Sequence, residues 1–156
     1  MGAQKDAVKT FSDVQSIRAK EVAEAYKVFQ GIQQQMQHMQ QKYQELQQYR
    51  EDYTRQINQM GAEGSALARM RNRIDFIHQL DMALSQLGQQ IAQIAKQRGE
   101  AEQHWICAKQ GEKSVEKLIE RTIAEMKSQE EASEQKEIDE FAQQQWYSTG
   151  KHASEI

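Results

Sequence analysis

The sequence predicts an all-α protein built as a long antiparallel two-helix coiled coil, and three observations carry that expectation. The 156 residues include no proline, which removes the strongest breaker of long helices. From Val22 the apolar residues recur at alternating spacings of three and four, the repeat of a coiled-coil seam. That repeat stops at Met60, a short stretch with two glycines follows, and a second repeat then runs almost to the end.

The first helix is expected over about residues 5–60. Its seam reads Val22, Ala25, Phe29, Ile32, Met36, Met39, Tyr43, Leu46, Arg50, Tyr53, Ile57 and Met60, with Arg50 the one charged member. The residues between are mostly Gln, Lys, Glu and Arg, as a solvated face requires. Upstream, Val8, Phe11 and Val14 keep helical spacing, but Arg18 interrupts it, so a register shift is expected before Val22. A helix of about 55 residues rises about 80 Å at 1.5 Å per residue.

Gly61-Ala62-Glu63-Gly64-Ser65 is the expected turn. Glycines supply the left-handed conformations that end a helix, and Ser65 suits an N-cap. So short a link makes its helices antiparallel neighbours.

The second helix is expected over about 66–146, followed by a flexible tail at 147–156, the whole chain forming one coiled-coil domain. Its seam reads Leu67, Met70, Ile74, Ile77, Leu80, Leu84, Leu87, Ile91, Ile94, Ala101, Trp105, Ala108, Val115, Ile119, Thr122 and Met126. Two successive steps of three, Ile74 to Ile77 to Leu80, predict local overwinding. Gly88, Gly99 and Gly111 lie off this seam and each weakens the helix by roughly 1 kcal/mol relative to Ala. Folding the chain at 61–65 sets Met60 opposite Leu67, Tyr53 opposite Ile74, Arg50 opposite Ile77, Tyr43 opposite Leu84 and Val22 opposite Trp105. The two patterns match along the first repeat. Beyond about Glu120 the second helix is left without a partner.

Composition narrows the function. Mean hydropathy is −0.92 and hydrophobic residues make up 38%, too few for an ordinary globular core. The 27 glutamines, with Glu, Lys, Ala and Arg, are good helix formers at exposed positions. Apolar residues at helical spacing punctuate Gln30–Gln48, which sets aside a prion-like reading. A net charge of −3 argues against nucleic acid as the main partner. No window approaches the ~20 apolar residues of a membrane span, and Met1–Thr10 does not look like a secretory leader. The single cysteine, Cys107, excludes an intramolecular disulfide and fits a cytoplasmic location.

Catalytic chemistry has little to stand on. His38, His78, His104 and His152 are scattered; His104 and Cys107 are three apart but lack further ligands. No glycine-rich phosphate loop and no nucleophile–base arrangement is present. The expectation is a non-enzymatic protein with no cofactor and no metal, acting through partners.

Two surfaces stand out instead. Tyr49 and Phe76 are aromatic residues beside the seam rather than on it. Leu46, Tyr49 and Tyr53 of the first helix would face Phe76, Leu80 and Ala83 of the second. Either the core widens there and the aromatics seal it, or they form an exposed patch for a partner. In Lys127–Gln145, Ile138, Phe141 and Ala142 share one side, which calls for a partner, a second copy or disorder.

The chain resembles the FliJ family, the small coiled-coil component of the bacterial flagellar type III export apparatus. The resemblance rests on Leu46-Gln-Gln-Tyr49-Arg-Glu-Asp-Tyr53, the glycine-containing turn, Phe76-Ile77-His78-Gln79-Leu80-Asp81-Met82-Ala83, Trp105, and Gln135-Lys136-Glu137-Ile138-Asp139-Glu140-Phe141-Ala142, in that order. It covers about residues 20–145. It implies an antiparallel hairpin similar to the central shaft of rotary ATPases. It implies insertion into the export ATPase ring, promotion of its assembly into a hexamer, contact with the cytoplasmic region of the export gate membrane protein, and handling of export chaperones. The location implied is cytoplasmic, peripheral at the inner-membrane apparatus. The family's gate-binding surface corresponds to Leu46, Tyr49, Tyr53, Phe76, Leu80 and Ala83. The ring contact would fall on Ile119, Ile138 and Phe141. Lys42 and Leu87, at the edges of the gate surface, depart from the Gln and His expected there, and no aromatic stands at Met70 or Arg73. The rival readings are a structural coiled-coil adaptor unrelated to secretion, or the equivalent stalk of a virulence-type system.

Overall fold

The computed structural model describes residues 2–63 and 67–154. They form two helices, α1 (Gly2–Glu63) and α2 (Leu67–Ser154), and no strand is present among the described residues. The chain divides into two compact units. One is Glu21–Ala108; the other combines Met1–Lys20 with Lys109–Ile156.

The two helices pack as an antiparallel pair, and cross-helix contacts within Glu21–Ala108 show the direction. Tyr53 of α1 meets Phe76, Arg50 meets Asp81, and Phe29 meets Trp105. As residue numbers fall along α1 they rise along α2. Within the other unit, a Cβ built on Gly111 of α2 would lie 3.8 Å from Arg18 of α1.

Burial follows the seven-residue repeat closely. On α1 the half-buried or buried positions include Val22, Ala25, Phe29, Ile32, Met36, Met39, Tyr43, Leu46, Tyr53, Ile57 and Met60. Among the described residues, the buried core consists of Ala25, Phe29, Leu80, Leu84 and Ile94. Two helices cannot enclose a side chain on every side, so most seam residues keep one flank in water. Stabilisation is therefore spread along the seam in fractions of the roughly 1.5–3 kcal/mol that full burial of an aliphatic side chain gives.

Four details differ from the sequence reading. First, α1 runs through Gly61 to Glu63; the rest of the expected turn, 64 and 65, lies outside the described residues. One helical glycine costs only about 1 kcal/mol, and Ala62 and Glu63 are good helix formers. Second, this moves the pairing by about one helical turn. Arg50 meets Asp81 rather than Ile77, and Trp105 lies against Tyr26 and Phe29 rather than Val22. Tyr43 lies against Gly88 as well, its ring carbon 3.8 Å from where a Cβ would stand.

Third, the seam of α2 needs no overwound step. Arg73 is half-buried while Ile74 is 41% exposed, so the order Met70, Arg73, Ile77, Leu80, Leu84 keeps alternating spacings of three and four. Arg73 donates to the Met60 sulfur, and its aliphatic stem can cover apolar surface while the charged head stays in water. Upstream, Val8, Phe11, Val14 and Gln15 are half-buried while Arg18 is exposed, so Arg18 does interrupt the buried pattern. Fourth, α2 continues past 146 to Ser154. Residues 147–154, expected as part of a flexible tail, are helical. No helix among the described residues is long and apolar enough to cross a membrane.

Candidate interaction surfaces

Tyr49 immediately precedes Arg50 on α1; Phe76 and Ala83 immediately precede Ile77 and Leu84 on α2. In an antiparallel pair these flanking positions fall along the same edge of the seam. Tyr49 is 54% exposed and Phe76 39%. The Phe76 ring reaches across to Tyr53, with ring centroids 4.8 Å apart and planes tilted by 53°. That is an ordinary aromatic pair geometry, and it places one face of Phe76 against the seam and leaves part of it in water.

Leu46, Tyr53 and Ala83 are half-buried, and Leu80 is buried. The six residues therefore divide by depth. Leu80 forms the floor with Leu84, while Leu46, Tyr53 and Ala83 are intermediate and Tyr49 and Phe76 stand outermost. The seam beneath them has regular spacing, and of the two outer aromatics Phe76 covers it through Tyr53.

The opposite edge is polar. Arg50 Nε donates to Asp81 Oδ1 at 2.5 Å. The hydrogen bond first, and the carboxylate charge second, raise the Arg50 guanidinium above its ordinary pKa. Both side chains remain nearly half exposed, so solvent screens the pair and its contribution to stability is small. It marks which residues sit opposite one another. Tyr43, Gln47, Glu51, Leu84, Ser85 and Gly88 line a shallow groove around it.

An aromatic cluster at the other end of this unit was only partly legible in the sequence. Trp105 stacks on Phe29 at 5.6 Å with an interplanar angle of 14°, and meets Tyr26 at 4.9 Å. The Arg98 guanidinium lies 5.9 Å from the Phe29 ring centre, within cation–π range. Phe29 and Trp105 occupy seam positions. Tyr26 lies off the seam, and only the one-turn change of pairing brings Trp105 to it. Arg98 is itself on the seam, four residues beyond Ile94.

The second candidate surface lies in the unit formed by 1–20 and 109–156. Ile119, Thr122 and Met126 are half-buried, whereas every side chain from 127 to 150 is exposed. Helix pairing thus reaches slightly beyond Glu120. Ile138 is 61% exposed and Phe141 63%; with Glu134 and Glu137 they line a shallow notch. Ile119 belongs to the paired part of α2, so the three residues expected at the ATPase ring do not form one patch. Trp146 and Tyr147 are also exposed, their rings edge to face at 5.4 Å. Among the described residues no cluster of His, Cys, Asp and Glu suits a metal ion, and Cys107 is exposed and unbridged.

A sequence model of the family described as "Flagellar FliJ protein" matches residues 8–151, nearly the whole chain. No curated protein and no solved structure matches significantly.

Proposed function

The chain belongs to the flagellar FliJ family, a component of flagellar protein export, and from that premise we propose that it is the stalk of the type III export apparatus. In this reading it inserts into the export ATPase ring, promotes hexamer assembly, links the ATPase to the cytoplasmic region of the export gate, and handles export chaperones. It is placed in the cytoplasm, at the inner-membrane face of the apparatus.

The family match over 8–151 carries the proposal. Two features of the structure support it. Tyr49 and Phe76 keep exposed aromatic surface beside a rigid seam, the kind of anchor that dominates binding energy at interfaces. Residues 127–150 expose all their side chains, which leaves Ile138 and Phe141 available to a partner. We assign the first surface, Leu46, Tyr49, Tyr53, Phe76, Leu80 and Ala83, to the gate, and the second, with Ile119 behind it, to the ATPase. Membership of a flagellar family sets aside an unrelated coiled-coil adaptor and favours the flagellar over the virulence-type system.

The test is reconstitution with the purified export ATPase. Full-length protein is expected to promote hexamer assembly, and protein truncated after Glu120 to lose that effect while remaining helical. Equal promotion by the truncated protein would remove the ring-contact assignment.

A further inference from the structure

The segment 127–150 is exposed throughout, and its chemistry restricts what can cover it. At 100° per residue, Ile138, Phe141, Ala142, Gln145 and Trp146 fall within one sector of α2. Glu134 lies on the same sector one turn earlier, Glu137 flanks it on the Phe141 side, and Asp139 flanks it on the other. Glu134 and Glu137 share the notch with Ile138 and Phe141, and Asp139 accepts from Gln135 at 3.2 Å. Lys136 points from the back of the helix. Across 127–150 there are six carboxylates and two lysines, so the chain's acidic excess is concentrated here.

We propose that this face, carrying Ile138, Phe141 and Trp146, docks into an apolar groove of a partner protein whose rim is lined by lysine or arginine. A second copy of the same face would set carboxylates against carboxylates. An anionic bilayer would be repelled for the same reason. A basic rim instead gains from Glu134, Glu137 and Asp139 as the groove takes up the apolar stripe, which is helix-in-groove recognition with charge fixing the partner.

The proposal deepens the assignment of this segment to the export ATPase, and its first arm rests on that assignment. Full-length protein is titrated against the ATPase by calorimetry. We expect Ile138→Ala/Phe141→Ala and Glu134→Lys/Glu137→Lys each to weaken binding at least about tenfold, with wild-type affinity falling as salt is raised. Glu140→Lys, on the back of the helix, should stay within about twofold of wild type. Equal losses for Glu140→Lys and the rim pair, or none for either, would overturn the inference while leaving the ATPase contact standing.

A second arm does not need the ATPase. The probe is a synthetic helical peptide with a leucine stripe flanked by lysines, beside a glutamate-flanked counterpart. Binding is read from Trp146 fluorescence in a Trp105→Phe background. Selective binding of the lysine peptide, lost in Glu134→Lys/Glu137→Lys, supports the proposal even if the ATPase does not bind. Failure of both arms overturns it. So does dimerisation abolished by Ile138→Ala/Phe141→Ala, or binding to phosphatidylglycerol vesicles.

Discussion

Phe76 of α2 packs its ring on Tyr53 of α1 at 4.8 Å, while Tyr49, one turn before Tyr53, has no such ring contact and is 54% exposed. The two outer aromatics of one patch thus differ in what they do for the fold. An aromatic pair adds about 0.5–1.5 kcal/mol beyond its burial. Phe76→Ala is therefore expected to lower the melting temperature measurably, and Tyr49→Ala to leave it unchanged. Thermal melts followed by circular dichroism check this; equal falls in both variants would mean that Tyr49 also supports the hairpin.

The Arg50–Asp81 pair lies across the two helices with both side chains nearly half exposed. Arg50→Asp and Asp81→Arg alone are each expected to lower the melting temperature, and the swapped double variant to recover most of the loss. The recovery should shrink at high salt, because both groups face solvent. Full loss in the double variant would show that Arg50 acts through packing of its stem instead.

Gly88 offers a stabilising change. A Cβ there meets Tyr43 at 3.8 Å, an ordinary contact, and one at Gly99 meets nothing within 4 Å. Gly88→Ala and Gly99→Ala are each expected to stabilise the helix by about 1 kcal/mol, read as a higher midpoint in urea. A lower midpoint for Gly88→Ala would mean that Tyr43 must move.

Pairing is tested with cysteines in a Cys107→Ser background. The observed register brings 43 and 88 together. The Tyr43→Cys/Gly88→Cys protein is expected to join within one chain when treated at low concentration with a short thiol-reactive crosslinker. The product should be monomeric on a denaturing gel. Joined dimers alone would replace the hairpin by an intermolecular pair.

The helical class, the seam of α1 and the antiparallel partnership were legible in the sequence because a seven-residue repeat reports directly which side chains are turned inward. The exact register was not. It depends on where α1 stops, and two glycines mark a turn only to within a few residues; α1 passes through the first of them. Arg73 fills the seam slot that the apolar pattern gives to Ile74. A seam slot admits the aliphatic part of a long polar side chain, whereas a hydrophobicity pattern treats it as a break. The candidate patch was visible as aromatics beside the seam, but the contact of Phe76 with Tyr53 needed the rings themselves.

The account's central claim, a stalk whose aromatic edge meets the export gate, is tested most directly by calorimetric titration of Tyr49→Ala against the gate protein's cytoplasmic region. Tyr49 is the better probe because its removal is expected to leave the hairpin intact. An anchor of this kind is worth about 2 kcal/mol, so the account predicts affinity about thirtyfold weaker than wild type with an unchanged melting temperature. Wild-type affinity for a fully folded Tyr49→Ala protein would contradict it.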